Sequence, residues 1–253
     1  TASILGANAP GGIFNYVTKT GGKTFAGEIR TKFGLEGNGK NPYYRADFNV
    51  GGPLSKNLTY NIGGFYRQSD GARYPGYAMN NGGQIRANVL KTYANGSLKI
   101  YAKYLNDRNA IAEFIPTTNW TNPQIPTGFS ATDSYYLPNI SLDLQNNGGS
   151  PIKFKSTDKV HSEEKSIGLN WQHHLSNGLS IKNDARFSAK DVAQNIPAVV
   201  TPFAADGFLF YAIPHLLGKF GTYTFTDKVT GQVLGNVLQS PNIINGNFAG
   251  FNI

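Results

Sequence analysis

Histidine and acidic side chains are the groups in this chain that could carry out acid–base or metal chemistry, and their spacing suits neither. His173 and His174 are adjacent, so within a strand they would point to opposite faces, and the four histidines lack metal-ligand spacing. Glu163 and Glu164 are adjacent and would diverge in the same way. Cysteine is absent, which excludes disulfides and thiolate ligands. We therefore predict no catalytic residue, no metal, no cofactor and no enzymatic activity.

Arginine and aromatic residues in segments without a strand pattern are better candidates for function, because such side chains are common binding anchors. The candidates are Arg73, Tyr74 and Tyr77 in one segment and Trp120, Phe129, Tyr135 and Tyr136 in another. We predict that they contact a small-molecule or oligosaccharide ligand. For any single residue, the alternative is that the loop packs on itself or closes as a lid.

The elements that must position these segments are stretches in which apolar and polar residues alternate. We predict seven strands, at 24–35, 43–51, 58–68, 83–93, 97–107, 164–175 and 179–190. In the first, Ile29 and Phe33 share one face while Arg30 and Lys32 share the other, because strand side chains alternate with a period of two. The predicted fold class is therefore all-β, with one apolar and one charged face.

The connections between the predicted strands alternate in length. Those after the second, fourth and sixth strands are short turns, and those after the third, fifth and seventh are long. Only the first connection, 36–42, is short where a long one is expected. Tilted strands of about ten residues span the apolar band of an outer membrane, and short periplasmic turns with long external loops are typical of its barrels. We predict a partial transmembrane antiparallel β-barrel of about seven strands.

Aromatic residues cluster near both ends of the predicted strands, as in the girdles at membrane interfaces. Phe25, Tyr60, Tyr93 and Trp171 lie beside the short turns, and Tyr44, Tyr66, Tyr104 and Phe187 lie toward the opposite ends. Asn183 departs from the pattern, because it is a polar residue in mid-strand on the predicted lipid face. The alternative is that the aromatic residues fill the core of a sandwich.

The composition fits a membrane barrel and argues against other classes. Charged residues make up 15% of the chain, well below the roughly 25% of soluble domains, whereas the mean hydropathy is negative. No apolar run approaches the ~18 residues of a membrane helix. The net charge is +8, but the basic residues are spread without a Lys/Arg block, so we predict no nucleic-acid partner.

The first residues of the chain add a motif. Pro10, Gly11 and Gly12 are followed by Asn15 between apolar residues and then by Thr18 and Lys19. This order resembles the end of the plug domain in TonB-dependent outer-membrane receptors. Gly51-Gly52-Pro53-Leu54 resembles the first periplasmic turn of that family, and 103–109 resembles a strand and loop start found in some members. The resemblance covers most of 6–190.

The resemblance implies a domain division. Residues 1–22 would be the C-terminal tail of a plug domain, and 23–253 would be the N-terminal part of the barrel, with long extracellular loops at 107–163 and 191–253. The motif residues Pro10, Gly11, Gly12, Asn15, Thr18 and Lys19 would have a structural role. Such a receptor contacts lipid in the outer membrane of a Gram-negative bacterium, and its barrel has about 22 strands around the plug.

The activity that the resemblance implies is active import. Receptors of this family bind a scarce solute, such as a siderophore–iron complex, a cobalamin-like compound or a glycan, and import it with energy from the TonB complex. A basic polar face would suit anionic cargo or acidic residues of the plug. Two alternatives stay open. One is a passive porin-like barrel, and the other is a soluble secreted β-rich binding protein, such as a lectin or adhesin, with Phe33, Phe48 and Trp171 in a sealed core.

Overall fold

The computed structural model describes most of the N-terminal half of the chain and a second block after the long connection. The described residues are 17–110, 117, 121–125, 130–134, 136, 139, 141–144, 152–195, 202–204, 216, 231 and 243–245. Within these ranges the chain forms antiparallel sheets, which confirms the predicted all-β class. No helix in the described ranges is long and apolar enough to cross a membrane.

One sheet dominates the fold. In chain order the strands are β1 (Ala26–Glu36), β2 (Asn41–Ser55), β3 (Leu58–Ser69), β4 (Asn80–Tyr93), β5 (Gly96–Asn109), β6 (Ser141–Leu144), β7 (Ile152–Lys155), β8 (Val160–His174), β9 (Ser180–Gln194), β10 (Pro202–Ala204) and β11 (Ile243–Asn245). The large sheet has the order β1-β2-β3-β4-β5-β8-β9, while β6 pairs with β7 and β10 with β11. Within the described residues the large sheet does not close on itself, because β1 and β9 each have one strand neighbour there.

The seven predicted strands are confirmed, but several run beyond their predicted ends. One cross-strand row joins Asn80 to Asn109, Asn109 to Val160 and Val160 to Gln194. This row lies outside the apolar alternation, so the pattern alone missed it. The connections predicted at 107–163 and 191–253 are correspondingly shorter, because β5, β8 and β9 extend into them. The first of them also contains the β6–β7 pair.

The register gives the large sheet two continuous and opposite faces. One row runs through Gly27, Val50, Ile62, Ala87, Ala102, Ile167 and Phe187. The adjacent row runs through Glu28, Asn49, Gly63, Arg86, Lys103, Ser166 and Ser188 on the other face. We call these the apolar face and the polar face. A shift of one residue in any pairing would exchange them, so the apolar pattern strongly specifies the register.

In the central strands, burial is the reverse of that in a soluble domain, because Ile100 and Ile167 on the apolar face are at least half exposed, whereas both faces of the edge strands β1 and β9 are exposed. Ile29, Phe33 and Phe187 on the apolar face are 79%, 72% and 73% exposed. On the polar face, Asn88 and Glu164 are 6% and 8% exposed. Phe33 and Phe48 are therefore exposed and do not lie in the sealed sandwich core that was the alternative.

Short and long connections fall at opposite ends of the sheet. Lys56 and Asn57 join β2 to β3, Ala94 and Asn95 join β4 to β5, and 175–179 join β8 to β9. At the other end, 70–79 and 110–159 are long. The exceptional short connection, 37–40, turns through residues with positive φ at Gly37, Asn38 and Gly39, a conformation that favours glycine and asparagine.

The sequence predicted that Phe187 lies near a strand end, and this prediction is wrong. β9 continues to Gln194, and Phe187 pairs with Ile167 in the middle of both strands. The last residues of β9 lack the apolar alternation that locates a strand, so its end was placed too early. Asn183 does lie on the apolar face, paired with Trp171.

Candidate functional site

The polar face is held by ion pairs along and between strands. Arg45 donates through Nε and Nη2 to both carboxylate oxygens of Asp47, at 2.8 and 2.6 Å. Arg67 Nη2 lies 2.9 Å from Asp107 Oδ2. Such charge-assisted contacts are among the stronger hydrogen bonds in proteins, so they fix the geometry of this face.

Glu164 is the most connected carboxylate of the polar face. Its Oε2 accepts a hydrogen bond from Lys103 Nζ at 2.7 Å, and its Oε1 pairs with the Arg186 guanidinium. Glu164 comes from β8 between Lys103 on β5 and Arg186 on β9. The sequence presented Glu164 only as a poor acid–base partner of Glu163. Its role as a bridge depends on pairing across the long connection, which the sequence does not reveal.

Cations exceed carboxylates on this face. Among the described residues, Lys32, Arg86, Lys99 and Lys190 have no carboxylate within 4.0 Å. Arg86 also has a buried Nε without a hydrogen-bond partner. The polar face is therefore basic, as the alternating pattern predicted, and its positive charge is only partly neutralised.

The segment 17–22, which precedes β1, crosses the polar face. Asn88 Nδ2 donates to the Lys19 carbonyl oxygen at 2.9 Å. Gly21 lies so close to the sheet that a Cβ there would be 2.2 Å from the Tyr60 carbonyl oxygen. Of the motif residues, Thr18 and Lys19 belong to this segment, whereas Pro10, Gly11, Gly12 and Asn15 lie outside the described residues.

Loss of the hydrogen bond between Asn88 and the Lys19 carbonyl oxygen, which we call the Asn88 clamp, should expose the segment 17–22 to protease. We expect Asn88→Ala to increase tryptic cleavage after Lys19 about fivefold, because a net hydrogen bond contributes about 1 kcal/mol and slow cleavage follows the open population. Cleavage after exposed Lys23 in the same digest is the internal control. The clamp would be refuted if both cleavage rates were the same in the variant and the wild type.

Two cavities open on the polar face beside this segment. The larger, about 380 Å³, is lined by Lys19, Glu28, Arg30, Arg45, Asp47, Phe48, Asn49 and Gly64. The smaller, about 210 Å³, is lined by Thr20, Leu90, Ser97, Lys99, Asn170, Trp171, Gln172, Lys182 and Asp184. Residues of the segment and of the sheet thus line the same spaces.

The loop residues predicted to bind a ligand differ in accessibility. Arg73 Nε donates to the Ala131 carbonyl oxygen at 2.7 Å, which joins two long connections. Tyr74 is 48% exposed, whereas Tyr77 and Tyr136 are 9% and 6% exposed. Burial favours loop packing, the stated alternative, for these last two tyrosines. Trp120, Phe129 and Tyr135 lie outside the described residues, and ligand contact stays a prediction.

Lys159 joins the long-connection ends of several strands and was missed by the sequence analysis. Its Nζ donates to the Ala78 carbonyl oxygen at 2.6 Å and to Asn81 Oδ1 at 2.8 Å, and the residue is 2% exposed. Burial, with a smaller contribution from Arg108, lowers the pKa of Lys159 to about 8. No sequence signal marks this lysine, because its partners are about 80 residues away.

The pKa of Lys159 predicts a rise of stability with pH. The ordinary value is 10.5, and the folded value is about 8. Between these pH values the unfolded chain holds the proton that the folded chain has released, so the free energy of unfolding increases as pH rises. Below this window both states are charged. We expect the free energy of unfolding of the wild type, minus that of Lys159→Met, to increase as pH rises through the window. A constant difference would contradict this.

An aromatic cluster occupies the short-turn end of the apolar face. Trp171 Nε1 donates to the Tyr93 hydroxyl at 2.8 Å, and the His173 ring stacks on Trp171 at 6.0 Å between centroids. Rings with one polar edge suit a boundary between apolar and aqueous surroundings. This arrangement matches the position predicted for Tyr93 and Trp171 beside a short turn.

The fold and the site together define an all-β protein whose large antiparallel sheet has an exposed apolar face and a basic polar face. Within the described ranges, no group of three or more histidine or acidic residues could hold a metal ion. Comparisons of the chain with protein-family models, with curated proteins and with solved structures give no match.

Proposed function

We propose that this chain is part of an outer-membrane receptor that imports a scarce solute with TonB-supplied energy. The solute would be a siderophore–iron complex, a cobalamin-like compound or a glycan. The apolar face would contact lipid, the polar face would line the interior, and the segment 17–22 would be the end of a plug domain. The observation that carries the proposal is the exposed apolar face opposite a polar face whose central strands contain buried polar residues, such as Asn61, Asn88, Asp107 and Glu164.

In water, the exposed apolar face would be energetically costly. Ile29, Phe33, Ile100, Ile167 and Phe187 are each at least half exposed and belong to one face of seven strands. Apolar surface costs about 25 cal/mol per Å² in water, and exposed apolar patches of this extent are rare on soluble monomers. Acyl chains would remove that cost, while the polar face keeps its ion pairs.

The position of the segment 17–22 supports a plugged receptor over an open pore. Its carbonyl oxygen at Lys19 is bound to Asn88 on the polar face, so the chain reaches β1 from that side. A domain preceding this segment would then lie against the polar face. The two unpaired edges, β1 and β9, would pair with further strands of a complete barrel, because open edges do not occur in lipid.

Fluorescence quenching by brominated lipid tests the membrane contact. Trp171 lies on the apolar face beside Ile181 and Asn183, near the short turns. In the intact protein reconstituted in vesicles, bromines near the glycerol end of the acyl chains should quench the Trp171 signal, obtained by subtracting a Trp171→Phe variant. Absence of quenching would refute the proposal. A Trp120→Phe variant is the control, because its predicted position is an external loop.

Energy dependence separates an active receptor from a passive porin. Cells that take up the solute through this protein should lose uptake when TonB is deleted or when the proton gradient is collapsed. Uptake that persists under both conditions would favour the porin-like alternative. Because lipid contact is common to both, this result would leave the quenching experiment unaffected.

A further inference from the structure

We propose that the smaller cavity of the polar face binds an oxyanion group, such as a phosphate or a carboxylate. The cavity lies at the short-turn end of β4, β5, β8 and β9 and has a volume of about 210 Å³. The polar residues that line it include Thr20, Ser97, Lys99, Asn170, Lys182 and Asp184. This volume suits a small charged group rather than a whole siderophore or glycan.

Two neighbouring cross-strand rows form this site. One row contains Lys99, Asn170 and Asp184, and the next contains Ser97, Gln172 and Lys182. Neighbouring strands are about 4.8 Å apart, and residues two apart on a strand are about 6.8 Å apart. Lys99 and Lys182 therefore lie at opposite corners of a small area of the polar face, and both residues line the cavity. One anion between them is within reach of both long side chains.

The charge of the site is positive. Lys99 has no carboxylate within 4.0 Å among the described residues. Asp184 already accepts a hydrogen bond from Asn170 Nδ2 at 2.6 Å, and its pair with Lys182 is long, at 3.7 Å, and more than half exposed. The site thus contains two ammonium groups and one carboxylate that is already engaged, and Ser97 and Thr20 line the same space.

The larger cavity is a weaker candidate for an anion, although it contains two arginines. Arg45 is paired with both carboxylate oxygens of Asp47, and Arg30 is paired with Glu28. Both arginines of the larger cavity therefore have carboxylate partners. Lys99 in the smaller cavity has no carboxylate partner among the described residues. An anion gains most where a cation is not already neutralised.

The site does not require the proposed membrane location, because it depends only on the polar face and the segment that crosses it. The anion could be a group on a solute or an acidic side chain elsewhere in the intact protein. Both have the same chemistry, and they differ in whether the anion is supplied from solution. Failure of the lipid-quenching experiment would therefore leave this inference standing, and failure here would leave the membrane proposal standing.

Lysine acetylation with acetic anhydride, quantified by mass spectrometry, tests the site in the intact protein. Lys32 is the control, because it is another polar-face lysine without a carboxylate partner in the described ranges. Protection of Lys99 but not Lys32 on addition of inorganic phosphate supports a solute anion. Protection without phosphate that is lost at high salt supports an acidic side chain, because salt screens ion pairs. Protection in neither condition overturns the inference.

A substitution then tests the role of Lys99. If phosphate protects Lys99, calorimetric titration should show phosphate affinity about tenfold lower in Lys99→Met, since a charge-assisted contact is lost, and unchanged in Lys32→Met. If the anion is an acidic side chain, Lys99→Met should remove the salt-dependent protection of Lys182. Equal behaviour of the Lys99→Met variant and the wild type would overturn the inference.

Discussion

Replacing Phe187 by arginine is expected to lower the free energy of unfolding of the lipid-reconstituted protein by about 2–4 kcal/mol, the cost of arginine at the middle of the bilayer on a barrel's lipid face. Phe187 lies at the middle of β9, opposite Ile167, and is 73% exposed. In a soluble protein, a substitution at so exposed a residue would change stability by about 0.5 kcal/mol or less. The size of the effect therefore reports which solvent contacts this face.

The adjacent residue supplies a matched control. Ser188 lies at the same depth on the same strand, but it faces the polar side and pairs with Ser166. Ser188→Arg should change the free energy of unfolding by about 0.5 kcal/mol or less, because the added charge meets an aqueous surface. Both variants are measured by denaturant titration in vesicles. Equal losses, or a negligible loss for Phe187→Arg, would contradict lipid contact at the apolar face.

Replacing Glu164 by alanine is expected to destabilise the protein by about 3 kcal/mol, within the range for breaking a buried ion pair from one side. Glu164 is 8% exposed and is bound by both Lys103 and Arg186. Its removal would leave these two cations close together without the carboxylate that separates their charges. It would also remove the link from β5 through β8 to β9 on the polar face.

Glu163 is the control for this prediction. It precedes Glu164 on the same strand, faces the other side, and pairs with Lys165, which is 70% exposed. Exposed pairs contribute little to stability, so Glu163→Ala should have a much smaller effect. Chemical denaturation of the two variants under the same conditions makes the comparison. A loss for Glu163→Ala as large as that for Glu164→Ala would show that the polar face does not depend on the shared carboxylate.

The two variants at Phe187 and Glu164 test different faces, and together they test the reversal of polarity. A soluble sheet would lose stability through charges on a covered apolar face and would tolerate changes on its solvated polar face. Here the apolar face is exposed, and the polar face contains the buried charges. We expect Phe187→Arg to be strongly destabilising only if the apolar side meets lipid, whereas the loss for Glu164→Ala reports the ion pairs of the polar face.

The sequence by itself determined the strands and their two faces. Alternation with a period of two is a local property, so Ile29 and Phe33 are separated from Arg30 and Lys32 without knowledge of any partner strand. The alternating lengths of the connections are equally local. Strand ends were less well determined, because at Asn80, Asn109, Val160 and Gln194 pairing continues where the alternation has stopped.

Only the tertiary structure decided which charges meet. Arg67 and Asp107 are 40 residues apart, and Lys103 and Glu164 are 61 apart across a long connection. Their contacts depend on the register of several strands together, which no local pattern encodes. The hydrogen bond between Asn88 and the segment 17–22, the burial of Lys159 and the placement of Lys99 beside Lys182 in one cavity have the same origin. Local periodicity fixes which side of a strand a residue faces, and long-range pairing fixes which residues it meets there.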